Sequence, residues 1–77
     1  MKMYCITDSV DTAVGLKLTG IDTVVLEDKE EIEKNIDKVL EDQSIGILIV
    51  TDKIQELASD KLENIRNNYK VPLVVKI

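Results

Sequence analysis

The sequence has few aromatic residues, one cysteine and no histidine, and each shortage excludes a class of site. Two Tyr are the only aromatic residues, so the core must be built from Ile, Leu and Val. With no His and one Cys, the chain has too few soft ligands for a zinc site. Cys5 has no partner for an internal disulfide, which suits a reducing compartment.

Positive charge is also in short supply, and the imbalance lies in one segment. The net charge is −5, and residues 27–42 account for it with eight acids and three lysines. Without a basic patch or an aromatic stacking platform, we expect no nucleic-acid partner. No apolar run approaches the ~18 residues of a membrane span, and no N-terminal signal pattern is present. We therefore expect no direct insertion into a membrane.

The chain is organised around a short apolar run, Ile45–Val50, which is typical of a parallel strand buried on both faces. Three further strand segments alternate with helical ones. The predicted order is strand 2–7, helix to about 18 or 19, strand 23–26, helix to about 42, strand 45–50, helix from 51 or 52 to about 68, and strand 73–77. Ser59-Asp60 could divide the third helix, and the pattern leaves this open. Asp28 with Glu31 predicts a helix-capping box, and Gly20 a left-handed helix end.

This alternation predicts one α/β domain over residues 1–77, with a four-stranded parallel sheet in the order 2-1-3-4 and three helices. The class is flavodoxin/CheY-like, a truncated Rossmann-like fold. Right-handed crossovers place the first helix on one face and the other helices on the opposite face. Strands three and four should then lack a helical cover on the first helix's side. Because the sequence also stops inside its last strand, we expect that a C-terminal element is missing, that a partner lies there, or both.

The first helix is apolar on two sides, which is unusual for a short surface helix. Val10, Val14 and Leu18 form one stripe, and Ala13 and Leu16 form the other. We expect one side to meet the sheet, and we favour the side with Leu16 as a contact surface, either for a partner or for the missing C-terminal element.

Chemistry at the carboxyl ends of the strands is sparse. The loop 7–11 has two acids but no glycine or lysine, so it matches no phosphate-binding motif. Asp8, Asp11 and Asp52 could imitate a receiver domain's phosphoacceptor site holding a divalent ion, but we favour roles at helix starts. Cys5 could be a phosphocysteine nucleophile, but a position inside a strand favours a buried, inert thiol. We therefore predict no catalytic, cofactor-binding or metal-binding residue.

Three segments in order resemble a known family, the F subunits of V/A-type (vacuolar and archaeal-type) ATPases and ATP synthases. They are Asp8–Ile21, with its Asp-Thr pair and two glycines; Ile45–Asp52, a Gly, apolar run and Thr-Asp; and Val71–Ile77. The resemblance extends from Tyr4 to Ile77. Family members are longer, with a linker and a C-terminal helix that this sequence lacks.

The resemblance implies a non-catalytic rotor subunit in the central stalk of a proton- or sodium-translocating complex. The implied partners are the D subunit, which forms the shaft of the stalk, and, beyond it, the ring-connecting stalk subunit and the A/B head. The implied location is cytoplasmic and peripheral to the membrane, and no cofactor is implied. We expect the contact surface to include Leu16 and Lys17 on the first helix, and Val74 and Lys76 on the open face of the last strand. The alternative is a receiver-like or phosphocarrier signalling module.

Overall fold

Four parallel strands and four helices make up the computed structural model, which describes all 77 residues. The elements are β1 (Lys2–Thr7), α1 (Val10–Leu18), β2 (Asp22–Val25), α2 (Lys29–Glu41), β3 (Ile45–Val50), α3 (Asp52–Leu57), α4 (Ser59–Asn68) and β4 (Leu73–Lys76). The sheet order is β2-β1-β3-β4 with every pair parallel, as predicted. None of the helices is long and apolar enough to cross a lipid bilayer.

The third predicted helix is two helices, and this settles the point that the pattern left open. The break falls at Ala58, which ends α3 and begins α4 with φ −121° and ψ 31°. Ala58 is itself buried. Both helices bury apolar side chains, Ile54 from α3 and Leu62 and Ile65 from α4, in the same core. The chain therefore changes direction without losing its contact with the sheet.

The core lies between the sheet and the helices α2, α3 and α4. The strands contribute Ile6, Leu48, Val50 and Val74, and the helices contribute Ile32, Ile36, Val39, Ile54, Leu62 and Ile65. Ile45 belongs to the same core although it lies three residues before Leu48. The pairing explains this, because Lys2 pairs with Ile45 while the next residue, Met3, pairs with Ile47. Gly46 is thus an extra residue in β3 that has no pairing partner on β1. This irregularity lets the side chains of Ile45 and Leu48 reach the same core.

Helix ends follow the predicted signals in two places and depart from them in one. The Asp28 carboxylate accepts a hydrogen bond from the Glu31 amide at 3.1 Å, which caps α2, and Gly20 adopts φ +85° just after α1. Asp52 lies at the start of α3, as expected, but in the first turn of the helix and not at its cap. Thr51 occupies the cap position, and its hydroxyl donates to Oδ1 of Asp8 at 2.9 Å instead of capping the helix.

The first helix packs on β1 and β2, and only one of its two apolar sides is buried there. Ala13 is buried and Leu16 is half-buried. The other stripe faces solvent, with Leu18 84% exposed. The side that carries Leu16, which we favoured as a contact surface, is therefore the side that meets the sheet.

Candidate interaction surface

One face of the sheet is covered over only half its width, as the handedness of the crossovers predicted. The helix α1 packs over β1 and β2, while α2, α3 and α4 share the core on the opposite face. The strands β3 and β4 thus have no helix on the α1 side. We call the apolar side chains on that side, together with Met3 of β1, which pairs with Ile47, the open face. It consists of Met3, Ile47, Ile49, Leu73, Val75 and Ile77.

On the open face, exposure rises from β3 to the edge strand β4. Ile49, on the inner strand β3, is nearly buried. On the edge strand β4, Leu73 is 60% exposed and Val75 is 36% exposed, and Ile77 just beyond the strand is 56% exposed. The amide of Ile77 donates to the carbonyl of Val50 at 3.0 Å, so the strand pairing continues to the last residue. These exposed aliphatic side chains adjoin one another with no charge among them, so the open face is the candidate interaction surface of the sheet.

The placement of Val74 and Lys76 on the open face is wrong. Val74 is 8% exposed and belongs to the core under the helices. Lys76 is two residues further along the strand, so its side chain points to the same side. Its Nζ lies 3.1 Å from Oδ1 of Asp52, at the start of α3. The residues that reach the open face are the alternate ones, Leu73, Val75 and Ile77.

The sequence carried little signal for this alternation. In the segment from Leu73 to Ile77 only Lys76 is polar, so no apolar-polar period fixes which side faces the helices. The register decides the matter, because Leu73 pairs with Ile47 and Val74 pairs with Leu48, a core residue. Neighbouring residues in register lie on the same face of a sheet.

The structure places Leu16 and Lys17 apart from the β4 pair. The helix that carries them packs on β1 and β2, and β1 and β3 lie between β2 and β4. The Leu16 carbonyl accepts hydrogen bonds from the amides of Thr19 and Ile21 at 3.0 and 3.1 Å, which closes the end of α1. Lys17 is exposed beside a shallow depression of about 370 Å³. A contact of either residue with a partner stays a prediction.

The carboxylates considered as a phosphoacceptor site serve other roles in the structure. Asp8 accepts a hydrogen bond from Thr51, and Asp52 pairs with Lys76. Asp11 lies in the first turn of α1, where a negative charge stabilises the helix dipole. No three acidic or thiol side chains are grouped so that they could share a metal ion.

Cys5 is a core residue, as the position inside a strand predicted. It lies in the middle of β1 and is 0% exposed. Burial raises the pKa of its thiol to about 11. Because the thiolate is the reactive form of cysteine, Cys5 is unsuited to act as a nucleophile at neutral pH.

Comparison with known proteins finds a matching family, a relative of similar sequence and a solved structure of similar fold. Residues 3–77 match the family described as ATP synthase (F/14-kDa) subunit. The chain is 35% identical over 66 residues to the F subunit of the A-type ATP synthase of Methanocaldococcus jannaschii, an alignment that covers 84% of this chain and 66% of that protein. The chain thus spans just under two thirds of that relative's length.

A solved structure confirms the fold. The F subunit of the V-type ATP synthase of Archaeoglobus fulgidus superimposes with a TM-score of 0.75 at 23% identity, covering 99% of this chain and 95% of the other. At that identity the likeness concerns the fold. The family match over nearly the whole sequence carries the assignment: this chain belongs to the family of ATP synthase (F/14-kDa) subunits, the F subunits of V/A-type ATP synthases.

Proposed function

We propose that this chain is a non-catalytic subunit of the central stalk of a V/A-type ATP synthase or ATPase. In this role it binds the D subunit, which we call the shaft subunit, and supports the coupling of ATP turnover in the A/B head to rotation. Through the shaft it also lies near the ring-connecting stalk subunit, peripheral to the membrane. The observation that carries the proposal is the family match across residues 3–77.

The open face supports a role in assembly. A small domain that leaves four aliphatic side chains between 36% and 60% exposed on one face, namely Met3, Leu73, Val75 and Ile77, gains free energy when a partner covers them. The receiver-like or phosphocarrier alternative has less support. Its candidate nucleophile Cys5 is buried with a raised pKa, and its candidate acceptor Asp52 is not grouped with other acidic side chains in a site that could hold a divalent ion.

The test is direct binding to the shaft subunit of the same organism. We expect a one-to-one complex by isothermal titration calorimetry, with a Kd of about 1 µM or tighter, equivalent to about −8 kcal/mol. We also expect the complex to be retained when the A/B head is added. Failure to bind the shaft subunit, with the chain shown to be folded, would contradict the proposal.

A phosphorylation assay tests the alternative on the same sample. The chain is incubated with acetyl phosphate and with a phosphorylated carrier protein, and the intact mass is measured. We expect no stoichiometric phosphoryl group on Asp52 or Cys5, and stable labelling of either residue would favour the signalling function.

A further inference from the structure

We propose that two copies of the free chain pair face to face, so that α1 of each copy lies on the open face of the other. The pairing goes beyond the proposed function and does not rest on it. It joins two apolar surfaces that a single copy leaves uncovered. One is the open face. The other, which we call the outer stripe, consists of Val10, Val14 and Leu18 on α1, which are 64%, 53% and 84% exposed.

The two surfaces fit each other in width. Because α1 packs on β1 and β2, the uncovered part of the sheet is β3 and β4, which span roughly 10 Å at about 4.8 Å between adjacent strands. An α-helix with its side chains is about 10–12 Å across. A two-fold axis parallel to the strands places α1 of the second copy beside α1 of the first. Each helix then lies between two sheets, with Ala13 on its own sheet and the outer stripe on the sheet of the other copy.

The side chains of the two surfaces also have nearly the same spacing. Members of the outer stripe are four residues apart on a helix, or about 6 Å. The exposed residues on and just after β4 are two residues apart on an extended chain, or about 6.6 Å. Since α1 joins the end of β1 to the start of the parallel strand β2, it runs antiparallel to the strands, and the two-fold axis keeps that direction. The facing pairs are then Leu18 with Leu73, Val14 with Val75, and Val10 with Ile77.

The combined area is close to what a dimer needs, whereas either surface alone is too small. The exposed fractions of the open face amount to about two aliphatic side chains, and those of the outer stripe to about two more. Each copy thus buries roughly 400 Å² of apolar surface, at about 100 Å² per side chain. A stable interface buries about 800 Å² on each partner, of which about 56–65% is apolar. A separate helix on the open face would leave the outer stripe in water, whereas a second copy covers both surfaces.

The net charge of the chain does not oppose this pairing. The excess negative charge lies in residues 27–42, and most of these belong to α2, which packs on the opposite face of the sheet. The two α2 helices therefore lie on the outer sides of the dimer, with both sheets between them. The helix at the interface, α1, carries one acid and one base, Asp11 and Lys17, whose charges cancel.

Sedimentation equilibrium of the free chain measures the association. We expect the 8.7 kDa chain to be mainly dimeric at about 100 µM and mainly monomeric near 1 µM, as for a Kd of about 10 µM. Leu18→Glu and Leu73→Glu should each weaken the dimer at least about 30-fold, because a carboxylate is buried without a partner in both equivalent contacts. Tyr69→Glu is the control. Tyr69 is 45% exposed at the end of α4, and its substitution should change the Kd less than about threefold. Circular dichroism confirms that each variant is folded.

A pair of opposite charges tests which residues face each other. Leu18→Lys and Leu73→Glu are measured alone and as an equimolar mixture. In the mixed dimer one contact joins the two introduced charges, which have opposite sign, and the other joins an unaltered Leu18 to an unaltered Leu73. We expect each variant alone to be monomeric at about 100 µM and the mixture to regain the dimer.

Three results would overturn this inference. If the wild-type chain stays monomeric at about 100 µM, the open face is covered by a different partner or remains in water. If both Leu→Glu variants still dimerise, the contact lies elsewhere on the surface. If each variant alone is monomeric but the mixture does not recover, α1 pairs with α1 or the open face with the open face, and the proposed arrangement is wrong. The proposed function stands in all three cases, because binding to the shaft subunit is measured separately.

Discussion

The sharpest test of the fold compares two leucines on opposite faces of the sheet. Leu48 is 0% exposed at the centre of β3, inside the core under α2, α3 and α4. Leu73 is 60% exposed on the open face of β4. The two substitutions Leu48→Ala and Leu73→Ala remove the same atoms, so any difference in stability reports the environment of the side chain.

The expected difference is large for a domain of this size. A 77-residue chain has a total unfolding free energy of about 4–12 kcal/mol. Truncation of a buried leucine costs about 2–5 kcal/mol, because a cavity remains where the side chain was. Leu73→Ala should cost less than about 1 kcal/mol, since most of that side chain is already in water. Leu48→Ala therefore removes a large part of the stability, and Leu73→Ala removes little.

Urea unfolding followed by far-UV circular dichroism measures both values, because the chain has no tryptophan to serve as a fluorescence probe. The free energy of unfolding of a small protein falls by about 1 kcal/mol per M of urea. The urea concentration at which half of the Leu48→Ala variant is unfolded should therefore be about 2–5 M lower than for the wild type. A third variant, Val75→Ala, serves as a control on the same face as Leu73. If Leu73→Ala lowers the free energy of unfolding as much as Leu48→Ala does, the open face is covered by the chain itself and is not an interaction surface.

Three other predictions address single positions. Gly15→Ala inside α1, where a methyl group would meet no atom within 4 Å, should stabilise the chain by about 0.5–1 kcal/mol, whereas Gly20→Ala at φ +85° should destabilise it by about 1–2 kcal/mol; urea titration of the pair should give opposite signs. Asp28→Ala should cost about 1 kcal/mol by removing the α2 cap, and Asp28→Asn should recover most of the loss in the same assay. Since burial raises the pKa of the Cys5 thiol from 9.0 to about 11, the unfolded chain loses its proton first and the free energy of unfolding should fall between pH 9 and 11. Cys5→Ala should flatten that part of the pH profile, and an unchanged slope would show that other groups cause it.

Much of the fold follows from local pattern and chirality. The six-residue run Ile45–Val50 is apolar throughout, which identifies a strand covered on both sides. The alternation of strands and helices, together with right-handed crossovers, is enough to predict the strand order and the uncovered half of one face. The residues at helix ends, Asp28 and Gly20, act within one turn of the chain, so they are readable without knowledge of distant contacts.

The features that the sequence left open all depend on partners distant in the chain. The period of apolar residues continues through Ala58, so the pattern cannot show that the axis changes direction there. Thr51 occupies the cap position of α3 but makes no capping hydrogen bond, because its hydroxyl donates to Asp8, which lies 43 positions away in the sequence.

The candidate site shows the same division between local and distant information. The sequence determined that one side of β3 and β4 has no helix packed on it, because the handedness of the crossovers follows from backbone chirality. Only the tertiary structure decided which residues form it, because Leu73–Val75 are apolar at every position and no local period distinguishes the two sides. The register of β4 against β3 places Val74 beside Leu48 in the core, and this pairing leaves Leu73, Val75 and Ile77 to face outward.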